Sequence, residues 1–165
     1  MRRPIVLTSM LAAAGTVVFG LALWAQPRPD DAVISFPDGY RKWVHVKSTL
    51  IGPAAAAFAV NGGIHHFYAN DKALEGYRTG SFPDGSVLVD DLLEAKEAAG
   101  VTSDGPRRRV AVMVKESERY RETGGWGFEV FRGDGRDAAL DTAAKAACFA
   151  CHKNGRDSVF IEFRP

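Results

Sequence analysis

The chain holds two cysteines, and both stand in one pentapeptide near its C-terminal end, Cys148-Phe149-Ala150-Cys151-His152. This is C-x-x-C-H, the spacing at which two thiols and an imidazole attach a c-type haem: the thiols bond to the porphyrin vinyl groups and the adjacent histidine binds the iron from beneath. Cys148 and Cys151 are therefore the expected thioether anchors, and His152 the expected metal ligand, of one covalently bound haem c. Three other readings compete. A thioredoxin-like C-x-x-C opens a helix early in a β-α-β unit, whereas here the chain is nearly over. A structural zinc site needs four ligands, and no second Cys or His pair stands at a suitable spacing. The third is a chance match, against which the amino terminus argues.

That terminus begins with Arg2 and Arg3, runs almost wholly apolar over residues 4–24, and turns polar and proline-containing after Ala25. Residues 1–25 read as an export signal cleaved after Ala25, although Leu23 is larger than the small residue preferred there, or as an uncleaved anchor with its arginines on the cytoplasmic side. Either way the folded part is expected in the periplasm, soluble or anchored to the inner membrane. Covalent haem attachment in bacteria takes place on that side, so the two signals agree. Residues 26–35, with Pro27, Pro29 and adjacent aspartates, form a linker.

With 165 residues and 46% hydrophobic content, the chain can bury one real core. Its net charge of +1 includes no basic stripe, which argues against a nucleic-acid partner. The domain is expected over residues 36–165. Phe36-Pro37-Asp38-Gly39-Tyr40 and Phe82-Pro83-Asp84-Gly85-Ser86 are two turns in which proline presets φ and glycine accepts a positive one. Strands are expected at 43–47, 63–69, 86–93, 108–115, 125–132 and 158–163, with 53–60 a loop or short helix. A helix capped by Asn70 or Asp71 ends at Gly80, Gly100 to Pro106 reads as a polar turn, and Ala138 to Ala147 is a helix leading into the haem motif. On the fourth strand Val110, Val112 and Val114 face one way while Ala111 and Met113 face the other, so both sides need cover, and a haem can supply one of them. The sum is an α+β fold, mainly an antiparallel β-sheet with a few short helices and a C-terminal c-type haem motif.

A late haem motif behind strands, with Phe36 to Val44, Gly80 to Val87, Val114 to Tyr120 and Gly124 to Phe128, resembles the cytochrome P-460 family over nearly the whole mature chain. The resemblance implies a periplasmic, β-rich, dimeric monohaem protein. The family includes hydroxylamine-oxidising enzymes and the cytochromes c′-beta, which bind nitric oxide and carbon monoxide. In the oxidising enzymes a lysine cross-links to the porphyrin and a distal glutamate takes a proton; here Asp90 stands at the lysine's place and Ala111 or its apolar neighbours at the glutamate's.

On the distal side His65 is expected to hydrogen-bond an iron-bound ligand or to ligate iron itself, while His66 points to the other face by strand alternation. Met113 is a sixth ligand or a core gap-filler, and Phe67, Trp126 and Phe128 line the pocket or belong to plain core. The expected cofactor-binding set is thus Cys148, Cys151, His152, His65, Phe67, Ala111 and Met113. The expected function is gas binding or electron transfer in a largely apolar distal pocket, with a small diatomic ligand and a redox partner protein. The alternative is a hydroxylamine or nitrogen-oxide oxidoreductase that cross-links through another lysine such as Lys72 or Lys96.

Overall fold

A computed structural model describes residues 33–164 of the protein. The expected export segment, residues 1–25, and most of the expected linker lie outside the described residues. The element order is β1 (Val44–Ile51), α1 (Phe58–Asn61), β2 (Gly63–Ala69), α2 (Asp71–Thr79), β3 (Val87–Ala98), β4 (Val101–Lys115), β5 (Trp126–Arg132) and α3 (Thr142–His152). Each strand pairs antiparallel with the next, giving a five-stranded meander in chain order. The fold is α+β and mainly β.

Local sequence accounts for most of these borders. Asn70 caps α2 by accepting from the Ala73 N–H at 3.0 Å, and Gly80 ends it at φ +85, a conformation that carries no Cβ penalty in glycine. Gly39 and Gly85 both take positive φ in the two Pro-Asp-Gly turns.

Two expectations fail. Residues 101–106 are not a turn but the start of β4: the turn is the residue pair Ala99-Gly100, both at positive φ as a two-residue hairpin demands, and Ala98 faces Val101 across it. The arm of β3 and β4 beyond the neighbouring strands is exposed on both sides, so it lacks the apolar alternation by which a strand is recognised. Residues 158–163 do alternate, and Val159, Ile161 and Phe163 do face the core, but they run extended with a single isolated bridge, Arg156 to Val159. Alternation reports which way side chains face, not whether a backbone partner is present.

Both faces of the sheet are covered. Val89, Val110, Val112 and Phe131 pack with Ile34, Tyr40 and Tyr120 on one side. Phe128, Trp126, Ala69 and Met113 pack on the other with Ala73 and Tyr77 of α2, Cys148 and Phe149 of α3 and the C-terminal segment. The apolar pairing of β4 on two sides is therefore real, and the second side packs against the half of the molecule that carries the C-x-x-C-H motif.

Helix α3 is tied to the edge strand β5 by one buried carboxylate. Glu129 Oε1 accepts from the Ala139 and Leu140 N–H groups at 3.1 and 2.9 Å, and its Oε2 pairs with Lys145 Nζ at 3.1 Å. Asp141 then caps α3 by accepting from the Ala144 N–H at 2.8 Å.

Candidate functional site

The last turn of α3 carries the motif. Cys148, Cys151 and His152 stand at i, i+3 and i+4, so one helix face presents both thiols and the imidazole together. Cys151 and His152 line a cavity of about 360 Å³ between the sheet and the C-terminal segment. Cys148 is half-buried against the adjoining core, and that burial pushes its thiol pKa up.

The His152 ring is held on three sides. Phe128 and Phe160 flank it at centroid distances of 5.3 and 5.2 Å, and its Nδ1 lies 2.9 Å from the Ser158 carbonyl oxygen. An imidazole that donates from Nδ1 keeps its lone pair on Nε2, and a bond of this kind fixes both tautomer and ring direction in metal-binding histidines.

The Ser158 carbonyl is itself placed by an unusual turn. Asp157 and Ser158 lie at φ +45 and +63, left-handed positions that cost non-glycine residues about 1 kcal/mol or more each. Asp157 is pinned there: Oδ1 accepts from Lys115 Nζ at 2.7 Å and from Trp126 Nε1 at 3.3 Å, and Oδ2 from the Phe82 N–H at 2.8 Å. Burial works against the Asp157 charge, but the Lys115 ammonium and these hydrogen bonds outweigh it and hold its pKa below the usual carboxylate range.

The sheet supplies the other wall. His65 and Phe67 from β2, Leu88 and Asp90 from β3, and Arg109 and Met113 from β4 all line the cavity. His65 is buried, with Nδ1 2.8 Å from Asp90 Oδ1 and Nε2 2.7 Å from the Asn61 carbonyl oxygen. Both neighbours are acceptors, so the contacts favour a proton on each ring nitrogen. Burial opposes the resulting charge, but the hydrogen bond and charge of Asp90, with the Asn61 carbonyl, raise the His65 pKa above its ordinary value. With both nitrogens engaged, neither is free to ligate iron in this arrangement. Phe67 stacks on it, 5.8 Å between centroids and 10° between planes.

Arg109 adds a second cation, donating to the Val60 carbonyl at 3.0 Å and to Asn61 Oδ1 at 2.7 Å, with its pKa lowered by burial. The pocket is largely apolar, as expected, and its sheet wall sets a polar group of His65, Asp90 and Arg109 beside Phe67, Leu88 and Met113. Arg109 and Asn61 are the site residues that the sequence reading missed. Strand parity would have found the arginine, since 109, 111 and 113 share a face of β4; Asn61 lies on a single helical turn whose sequence has no such signal.

The remaining expected residues take the following places. Met113 lines the cavity, on a rung with Leu88 and Phe128. Ala111 sits between Asp90 and Val130, one step along the same face, and does not itself line the cavity. Trp126 is fully buried core and a donor to Asp157. His66 points away, to Ser48 Oγ at 2.7 Å and Asp104 Oδ1 at 3.1 Å. Lys72 and Lys96 are both exposed, and no lysine is among the residues that line the cavity.

Set against known proteins, residues 37–161 match the family model for Cytochrome P460. The chain belongs to the cytochrome P460 family. The match spans all five strands and the C-x-x-C-H motif, so the expected family resemblance holds over the whole described domain. No curated protein matches the chain. Membership of the cytochrome P460 family makes this a haem- and iron-binding protein. The residues present fit that group: a cavity with one apolar wall, an imidazole whose Nδ1 is already engaged, and two thiols on the same helix face.

Proposed function

We propose that the protein is an exported c-type monohaem protein that binds a small nitrogen oxide or diatomic gas. Cys148 and Cys151 would tether the haem and His152 Nε2 would ligate its iron; the bound group would supply the iron that takes up the gas. The observation that carries this reading is the pairing, in one cavity, of an oriented proximal imidazole with a cationic wall. His65 and Arg109 outnumber Asp90 in charge, and such a wall favours a ligand whose outer atom gathers negative charge. His65 contributes a positive field at the ligand, the Phe67 ring stacks on it, and Val159 and Ile161 line the opposite side with apolar surface.

A second reading, a nitrogen-oxide or hydroxylamine oxidoreductase, draws on the same His65–Asp90 pair as a proton acceptor. The cavity lining supplies no lysine for a cross-link, which weighs against it. Homodimer formation, a periplasmic location and exchange of electrons with a redox partner belong to the first reading and rest on the family resemblance and the amino terminus.

The test is the optical spectrum of the reduced protein, matured with c-type machinery, before and after addition of carbon monoxide. A high-spin spectrum that shifts on addition supports an open site. A low-spin spectrum indifferent to carbon monoxide would replace gas binding with electron transfer, and a strongly red-shifted Soret band before any addition would put the cross-linked enzyme first.

A further inference from the structure

We infer that Asp157 is a positioning residue for the iron's proximal ligand: clamped by Lys115, Trp126 and Phe82, it holds the left-handed Asp157-Ser158 turn that presents the Ser158 carbonyl to His152 Nδ1. This deepens the reading above and rests on it, since it requires His152 to be the ligand.

Four observations converge on it. The turn is held in an unfavourable backbone conformation at two consecutive non-glycine residues, φ +45 and +63, and such conformations persist only where surrounding structure over-determines them. The over-determination is visible: one carboxylate gathers a lysine, an indole N–H and a backbone N–H from β4, β5 and the segment before β3. Lys115, its main partner, is buried, donates also to the Gly124 carbonyl at 3.0 Å and lies 5.0 Å above the Trp126 ring, so the clamp itself cannot drift. The adjoining Ser158 carbonyl accepts from the His152 ring at 2.9 Å.

The consequence is electronic as well as geometric. A hydrogen bond from Nδ1–H to a carbonyl makes the imidazole a stronger donor through Nε2, and its loss weakens the ligand by the same route. A stronger imidazole donor stabilises the oxidised more than the reduced metal. The sheet thereby sets the ligand strength of a residue on α3 through the Asp157-Ser158 turn.

The experiment uses the haem-loaded protein. Asp157→Ala removes every clamp contact, Asp157→Asn loses the charge and keeps an acceptor for only one of Trp126 and Phe82, and Lys115→Met removes the ammonium. Val110→Ala, a truncation in the core on the other face of the sheet, serves as a control matched in thermal stability. The readouts are the iron–histidine stretching frequency of the reduced five-coordinate protein and the reduction potential. The expected result is a downward shift in frequency and an upward shift in potential for Asp157→Ala, smaller shifts of the same sign for Asp157→Asn and Lys115→Met, and none for Val110→Ala. Should Asp157→Ala fail to load haem, the other two variants decide by the same criterion. Unchanged frequency and potential, or equal shifts in Val110→Ala, would overturn the inference. Failure of the underlying reading looks different: His152→Gly would then leave the spectrum of the loaded protein as it is in the unsubstituted chain.

Discussion

Asp90, on the rung of Phe67, reaches diagonally across the β2–β3 pairing to His65 at 2.8 Å, and with the Asn61 carbonyl on the ring's other nitrogen it favours the imidazolium form of this buried side chain in the cavity wall. A histidine whose folded pKa is raised contributes stability that is fully present below its unfolded value, about 6.5, and is lost as pH rises through the folded one. Asp90→Asn removes the charge that sustains it while burial remains. Urea denaturation should show this variant destabilised by about 1.5 kcal/mol at pH 6 and much closer to the unsubstituted protein at pH 9. An equal deficit at both values would mean that the pair is not ionised.

The same imidazolium should be felt by a bound ligand. In the carbonmonoxy protein, His65→Leu is expected to raise the carbon–oxygen stretching frequency, because a positive field at the outer atom lowers it. Ligand dissociation should quicken about five-fold, the equivalent of about 1 kcal/mol of lost electrostatic attraction. Infrared spectroscopy and flash photolysis read the two effects.

On the opposite face of the sheet Asp91 is fully buried and takes hydrogen bonds from Tyr40 Oη at 2.6 Å, Arg41 Nη2 at 2.6 Å and Arg107 Nε at 2.7 Å. Burial opposes the Asp91 charge, but these donors outweigh it and hold its pKa below the ordinary value; burial and the Asp91 bond push the Tyr40 hydroxyl up to about 12. A depressed carboxylate contributes stability above its unfolded pKa and loses it as pH falls through the folded one. Asp91→Ala should therefore cost about 3 kcal/mol at pH 7, by leaving Arg107 without its buried partner, and the cost should shrink below pH 3. Denaturation midpoints across pH measure it.

Glu129 makes a third target, since it joins β5 to the segment that leads into α3. Glu129→Ala takes the carboxylate acceptor from the Leu140 N–H and the partner from Lys145, while the Ala139 N–H keeps the Val130 carbonyl, for an expected loss of about 2 kcal/mol. Because the helix it tethers carries both cysteines, the fraction of chain recovered with haem should fall as well. Absorbance of haem relative to protein would register this, and an unchanged ratio would mean that α3 is placed by packing alone.

What the sequence disclosed followed its physical signals. Strand β2 and helix α2 were legible to the residue because aromatic and β-branched content, an Asn cap and a terminal glycine all agree there. The exposed arm of β3 and β4 was not, because a strand without a buried face leaves no period to read. The proximal half of the site was carried by C-x-x-C-H, a covalent pattern contiguous in the chain. The distal half was only partly open to reading. His65 and Met113 fall on their faces by parity, but the Asp90 carboxylate, Arg109 and Asn61 meet only through register between strands and the α1 turn. The Asp157 clamp joins residues 42 and 75 positions apart, a relation that no local pattern encodes.

The most direct measurement for the account as a whole is the mass of the haem-bearing tryptic peptide from the matured protein. The account predicts one haem, on the peptide that contains Cys148 and Cys151, with no other peptide attached. Haem extracted freely by acidified solvent, or a second peptide carrying Lys72, Lys96 or any other lysine on the porphyrin, would contradict it.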